Sequence, residues 1–152
     1  MNCDIITLSN SFRVRDNNEA QKVFEDLGFN TEIDCDDKLI IFAEDISWAD
    51  SMIAILDKNT NKYVGGYDSS YCEANEFVPE VDKEPERYEE VELETFIKDI
   101  LVNNEVFVLK ENWNEGFRYS GAWAIMISKD EIRSINLDTF IQDNIEKMKN
   151  KI

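Results

Sequence analysis

Residues 16–44 read DNNEAQKVFEDLGFNTEIDCDDKLIIFAE, and this stretch decides the fold. Asp16 is placed to cap a helix, and Glu19 stands three residues later in the capping-box position. Ala20, Val23, Phe24 and Leu27 follow i, i+3, i+4, i+7 spacing, which puts them on one helical face, and Gly28 is a natural stop just past its end. Asn30 to Cys35 and Lys38 to Glu44 then read as two short strands around Asp36-Asp37. A turn this short joins antiparallel strands, so the stretch predicts a helix followed by a hairpin.

Working outward, Ser11 to Arg15 alternates and predicts a strand before the helix. On the other side, Ser51 to Asp57 and Lys62 to Tyr67 predict a second hairpin around the turn Lys58-Asn59-Thr60-Asn61. Leu93, Phe96, Ile97, Ile100 and Leu101 mark a second amphipathic helix. Glu105 to Lys110 and Phe117 to Ser128 read as strands joined by an Asn112-to-Gly116 turn, with Glu131 to Ile135 as a short third. Asn136 or Asp138 opens a last helix whose predicted inner face is Leu137, Phe140, Ile141, Ile145 and Met148. Lys147, Lys149 and Lys151 near its end suit the helix dipole. Short connections favour antiparallel pairing, so the predicted class is α+β, with antiparallel sheets and about three helices packed on them.

The chain has 152 residues, the size of one domain, and is 43% hydrophobic with nine Phe, five Tyr and three Trp. That is enough apolar mass for a core. A single domain over 1–152 is expected. Acids outnumber bases 33 to 16, for a net charge of −17. Such a chain repels DNA, RNA and anionic membranes, so the expected partner is a basic protein surface. The odd set Cys3, Cys35 and Cys72 has no CxxC spacing and reads as free thiols in a reducing compartment. No apolar run reaches the ~18 residues of a membrane span. Met1-Asn2-Cys3-Asp4 lacks the basic start of a signal peptide. These features predict a cytoplasmic location (host cytoplasm, for a phage-encoded chain).

The sequence contains no histidine. That removes Ser-His-Asp and Cys-His catalysis, the usual neutral-pH general base and the commonest zinc ligand. An enzyme would have to work with carboxylates, Lys, Tyr or Cys. A protein that binds rather than catalyses, without a cofactor, is the expectation.

The acidity is concentrated. Residues 73–94 hold ten acids and two bases, net −8, and both prolines, Pro79 and Pro85. Residues 32–72 carry −6, and residues 95–152 only −1, which makes the last third a near-neutral scaffold. The stretch 73–94 reads as a loop or arm outside any packed sheet. Acids at every second residue of an extended chain fall about 6.6 Å apart, comparable with phosphates along one nucleic-acid strand. Glu80, Asp82, Glu84 and Glu86 have that spacing, as do Glu90, Glu92 and Glu94. Interleaved Phe77, Val78, Val81, Tyr88 and Val91 favour an ordered binding element over a solubility tail. The candidate partner-binding residues are therefore Glu80, Asp82, Glu84, Glu86, Glu89, Glu90 and Glu92, with Asp34, Asp36 and Asp37 from a second acidic cluster, Glu32 to Asp50.

Two stretches resemble fragments of a calcium loop. Around Asp34 the sixth loop position is Leu39 instead of Gly and no Glu stands twelfth; in Asp57 to Asp68, Lys62 occupies the glycine position. Turns explain both better, so no metal is assigned. Ser120-Gly121 lacks the Gly-x-Ser-x-Gly pattern and reads as a strand position where a small residue lets Trp113, Tyr119 or Trp123 pack across.

The C-terminal pattern Glu105-Val-Phe-Val-Leu109, Phe117-Arg-Tyr-Ser-Gly-Ala-Trp-Ala-Ile125 and Ser134-Ile-Asn-Leu-Asp138 resembles small, acidic, uncharacterised proteins carried by phages and plasmids. The opening Ser11-Phe-Arg-Val-Arg15 with its helix is similar too. In size and charge the chain is similar to phage antirestriction and anti-CRISPR inhibitors, which often block nucleic-acid sites by mimicry. That resemblance implies a DNA-mimic inhibitor of a host defence nuclease and assigns no individual residue. The alternatives are an immunity protein or antitoxin that neutralises a cationic toxin and, further off, a metal-dependent carboxylate enzyme.

Overall fold

The computed structural model describes residues 3–70, 83–115 and 118–150. Nine strands and three helices are found among them, in the order β1 (Cys3–Ser9), α1 (Asn17–Asp26), β2 (Asn30–Ile33), β3 (Leu39–Glu44), β4 (Met52–Asp57), β5 (Lys62–Asp68), β6 (Tyr88–Glu92), α2 (Leu93–Ile100), β7 (Phe107–Glu115), β8 (Arg118–Ile127), β9 (Ile132–Asn136) and α3 (Leu137–Lys149). The strands form two antiparallel sheets, one of order β2-β3-β1-β7-β8-β9 and one of order β5-β4-β6. The fold is α+β, as the sequence predicts. No described helix is long and apolar enough to cross a membrane.

The region 16–44 folds as read. Asp16 Oδ1 accepts hydrogen bonds from the backbone N–H groups of Asn18 (3.0 Å) and Glu19 (3.3 Å), capping α1. Glu19 does not complete a capping box. Its carboxylate turns back to the Arg15 guanidinium at 2.7 Å and is buried there. Gly28 ends the helix at φ +99°, which a residue with a Cβ adopts only under strain. The hairpin β2–β3 follows, pairing Asn30 with Phe42 and Ile33 with Leu39. The free, exposed thiol of Cys35 lies in its turn.

One apolar cluster joins both sheets and the first two helices. Phe12, Phe24, Phe96 and Phe107 are fully buried and meet mostly edge-to-face, with Phe12 and Phe107 centroids 4.9 Å apart. α1 lies on β5 at Gly66, where a Cβ would stand 2.9 Å from the Ile53 carbonyl oxygen and 3.3 Å from Val23. α2 turns Leu93, Phe96, Ile97 and Ile100 inward.

Four expectations change. Ser11 to Arg15 is not a strand. Phe12 pairs with Leu39 and Val14 with Leu101 as isolated bridges, because the segment steps from the sheet to the end of α2 with both apolar side chains in the core. The first strand is Cys3–Ser9 instead, between β3 and β7. The stretch 73–94 is not all arm. Tyr88–Glu92 pairs with β4 as an edge strand, since Val91 packs on the core while the glutamates beside it face solvent. The expected turn at Asn112 to Gly116 is taken over by β7, which runs on to Glu115. Finally, the predicted inner face of α3 is not covered. Asn136 caps the helix as expected, yet Leu137, Phe140, Ile141, Ile145 and Met148 are 37, 49, 46, 39 and 72% exposed.

Two tryptophan expectations hold in part. Gly121 lies opposite Trp113, whose ring would stand 2.9 Å from a Cβ there, so any side chain at 121 would push the ring aside. Trp123 is partly buried against the core and donates its indole N–H to Glu111.

Candidate functional site

Most of the described acids of 73–94 sit on or beside β6. A turn at Glu84 to Arg87 leads into it, closed by Arg87 N–H to Glu84 carbonyl at 3.0 Å. Arg87 fixes its start. The guanidinium donates to both oxygens of Asp57, at 3.1 and 3.3 Å, and its backbone carbonyl accepts from Lys58 N–H at 2.8 Å. Asp57 is buried at the end of β4, and the hydrogen bond from Arg87 holds its carboxyl below the ordinary aspartate range. With Arg87 on it, Asp57 is an anchor, and Asp57 to Asp68 is a hairpin.

The acids then divide. Tyr88, Glu90 and Glu92 alternate onto one face of the strand, and Glu90 accepts from the Tyr67 hydroxyl. Glu89 and Val91 take the other face. A groove of about 640 Å³ runs along this edge, walled by Glu89, Glu90 and Glu92, by Thr95, Lys98 and Asp99 of α2, and by Lys129. Tyr63 forms part of its floor side. Its hydroxyl donates to Asp99 at 3.0 Å, and burial together with that carboxylate pushes the phenol well above its usual value of 10. Lys129 Nζ is held on the Lys98 carbonyl at 3.2 Å.

A second cleft, of about 310 Å³, shares Glu92. Around it lie Asp50, Glu94, Trp48, Ala49, Met52 and Leu93. The two openings together present six carboxylates (Asp50, Glu89, Glu90, Glu92, Glu94 and Asp99) against two lysines. Walls of this kind suit arginine and lysine side chains, which offer several donors at fixed positive charge. Among the described residues no group of three or more Asp, Glu, Cys or His is arranged to hold a metal ion.

Of the residues singled out in the sequence, Glu89, Glu90 and Glu92 come together in the groove. Glu80 and Asp82 lie outside the described residues. Glu84 and Glu86 stand on the turn before β6, with Glu84 3.5 Å from Arg87. Their every-second-residue spacing is not that of an extended chain, because Pro85 and the Arg87-to-Glu84 bond bend the backbone there. Glu94 likewise belongs to the first turn of α2. The phosphate-like spacing holds for Glu90 and Glu92.

Asp34, Asp36 and Asp37 lie elsewhere, in the β2–β3 turn. Asp34 Oδ1 is occupied by the N–H groups of Asp36 and Lys38, both at 2.9 Å, which closes the turn. Asp36 and Asp37 are exposed, and Asp37 takes the left-handed conformation at φ 63°. This turn docks on the segment before α1: Arg13 donates to the Asp36 carbonyl and Asn17 to Asp37, each at 3.2 Å. Two residues from Asn17, Arg15 reaches Asp99 at 3.9 Å. Residues 13–17 therefore stand between the hairpin acids and the groove, and Arg13, Arg15 and the Asp16–Lys62 pair break the acid surface there.

Sequence reading missed Lys98, Asp99 and Lys129 and placed Asp50 only at the end of the Glu32-to-Asp50 cluster. Asp99 had one available signal: it lies on the polar side of an amphipathic helix whose start closes the acidic stretch. Nothing local placed it beside Tyr63.

Fold and clefts together define an α+β protein with an acid-walled groove along the edge of its smaller sheet. Comparison with protein-family models, with curated proteins and with solved structures finds no match.

Proposed function

We propose that this chain acts by binding, as a non-enzymatic acidic inhibitor. Its carboxylates occupy the basic, nucleic-acid-binding surface of a host defence nuclease of the CRISPR or restriction type. The observation that carries this reading is the set Asp50, Glu94, Glu92, Glu90, Glu89 and Asp99 lining two adjoining clefts, three of them on one paired edge strand. Carboxylates held on a paired strand lose less side-chain and backbone freedom on binding than the same acids on a free tail. A net charge of −17 speeds encounter with a cationic partner and keeps nucleic acid away. Such a protein works in the cytoplasm, where its target works.

The test is capture of partners from a bacterial lysate, followed by competition with duplex DNA. A captured nuclease released by DNA, and no longer bound by the Glu89→Gln, Glu92→Gln, Asp99→Asn variant, supports the reading. A partner set without any nucleic-acid groove ends it, and a captured cationic toxin would replace it with the immunity-protein alternative.

A further inference from the structure

From a second surface, unrelated to the acid groove, we infer that the chain forms a two-fold dimer, with the outer face of the six-stranded sheet and α3 as the interface. The first observation is an inverted strand. β1 turns Thr7 and Ser9 into the core, where they are 1 and 6% exposed, and leaves Ile6 and Leu8 outside at 46 and 45%. The inward hydroxyls are satisfied by backbone, Thr7 donating to the Ile46 carbonyl at 2.7 Å and Ser9 accepting from Ile41 N–H at 2.8 Å. A strand facing water on its outer side carries the opposite pattern. Register extends the face: Phe42, Leu8, Lys110, Ala124 and Ile135 lie in one row across five strands with a single charge among them, and the next row, through Ile6, carries Glu44, Asn112 and Ala122.

The second observation is α3. Leu137, Phe140, Ile141, Ile145 and Met148 form a stripe at helical spacing, and none of the helix is buried. A lone 13-residue helix is marginal in water, and most helical stability in proteins comes from covering such a stripe. The helix leaves the sheet beside β8 and β9, next to a cleft of about 240 Å³ walled by Ala122, Trp123, Ala124, Ile135 and Leu137, with Lys110 and Asn112 at its side.

These features select a second copy of the chain as the occupant. A two-fold interface uses one patch twice, so the patch must hold both the projection and its receptor. Here Leu137 at the start of the α3 stripe lines a cleft opened by two alanines, and the rest of the stripe continues from it along the helix. Charge agrees. Residues 132–149 contain three bases (Arg133, Lys147, Lys149) and three acids (Asp138, Asp143, Glu146), in a chain whose total is −17. Two such chains repel less through β9 and α3 than through the acidic regions 32–94. The eight half-exposed side chains Ile6, Leu8, Ile135, Leu137, Phe140, Ile141, Ile145 and Met148 present on the order of 600 Å² per chain, near the ~800 Å² per partner of a stable interface before the cleft walls are counted.

The test is the mass of the full chain in solution by sedimentation equilibrium at tens of micromolar. Two chains per particle are expected, and a single-chain mass overturns the proposal. Two variants on different elements locate the contact: Phe140→Asp with Ile145→Asp on α3, and Ala124→Arg in the cleft. Each is expected to raise the dimer dissociation constant about a hundredfold by placing a charge in an apolar contact. A dimer that survives either variant with wild-type affinity lies elsewhere and overturns the assignment. Added salt is expected to tighten the dimer, because it screens the repulsion between the two acidic bodies.

Discussion

Along β6, three of five residues are glutamates, and the apolar Val91 points to the core. Along β1, the two isoleucine and leucine side chains at positions 6 and 8 point outward and the hydroxyls point in. Both strands alternate; β1 is held between β3 and β7, and β6 is held by β4 alone. What differs is the layer each strand meets on its second side. The edge strand meets water, so its outer residues can be charged. The central strand of the larger sheet has an apolar outer row that only another surface can complete. Two surfaces of opposite chemistry thus come from the same strand geometry, and if both bind as proposed, conditions that strengthen one should weaken the other.

The largest expected effect lies in the acid groove. Reversing Glu89, Glu90 and Glu92 to lysine should weaken capture of a basic partner on the order of a thousandfold, read by calorimetry, and leave the dimer mass unchanged. If affinity for the partner survives, the groove is not the contact.

Salt separates the two faces next. Raising it from low to physiological strength should weaken partner binding roughly tenfold while strengthening self-association. Parallel changes at both faces would show that the two do not differ in binding chemistry.

Glu111 offers a third comparison, because it is an acid with no place on the acidic face. It is fully buried on β7 and accepts from Ser47 Oγ at 3.0 Å, Trp48 N–H and the Trp123 indole. Replacing it with alanine leaves those donors unpaired and should cost about 2–4 kcal/mol in denaturant unfolding, with no loss of charge from the groove. A smaller loss would mean that the segment carrying Ser47 and Trp48 re-forms without its carboxylate anchor.

The smallest effect concerns pH. The Tyr63 phenol is raised in the folded protein, so folding favours its protonated form. Its contribution is complete below the unfolded value near 10 and fades as pH rises past it. Stability should fall more steeply above about pH 10 in the native chain than in Tyr63→Phe, measured by melting across that range. Asp57 acts at the other end. Its carboxyl is lowered by Arg87, so its contribution is present above the ordinary aspartate value and is lost as pH falls through the folded one. In Arg87→Ala the acid-side loss should shrink, and an unchanged acid limb would mean that the pair does not hold β6.

Much of this was legible in the chain. The caps at Asp16 and Asn136, the stop at Gly28, both early hairpins and the concentration of acid before α2 follow from local rules of turn chemistry and periodicity. Less of the site was legible. Spacing along residues 80–94 suggested one extended array, and the turn at Glu84 to Arg87 reduces it to a short edge strand. Asp50 and Asp99, distant in sequence, complete the clefts because β4 and α2 flank β6.

The amino-acid sequence by itself determined the charge, the caps of α1 and α3, the first two hairpins, and which side chains share a face, because these depend on neighbours a few residues away. The tertiary structure alone decided which face is covered. Periodicity groups Leu137, Phe140, Ile141, Ile145 and Met148 on one side of α3, just as it groups Val23, Phe24 and Leu27 on α1. Burial is set by the layer on the other side, and α1 has β5 and the phenylalanine core against it while α3 has open surface.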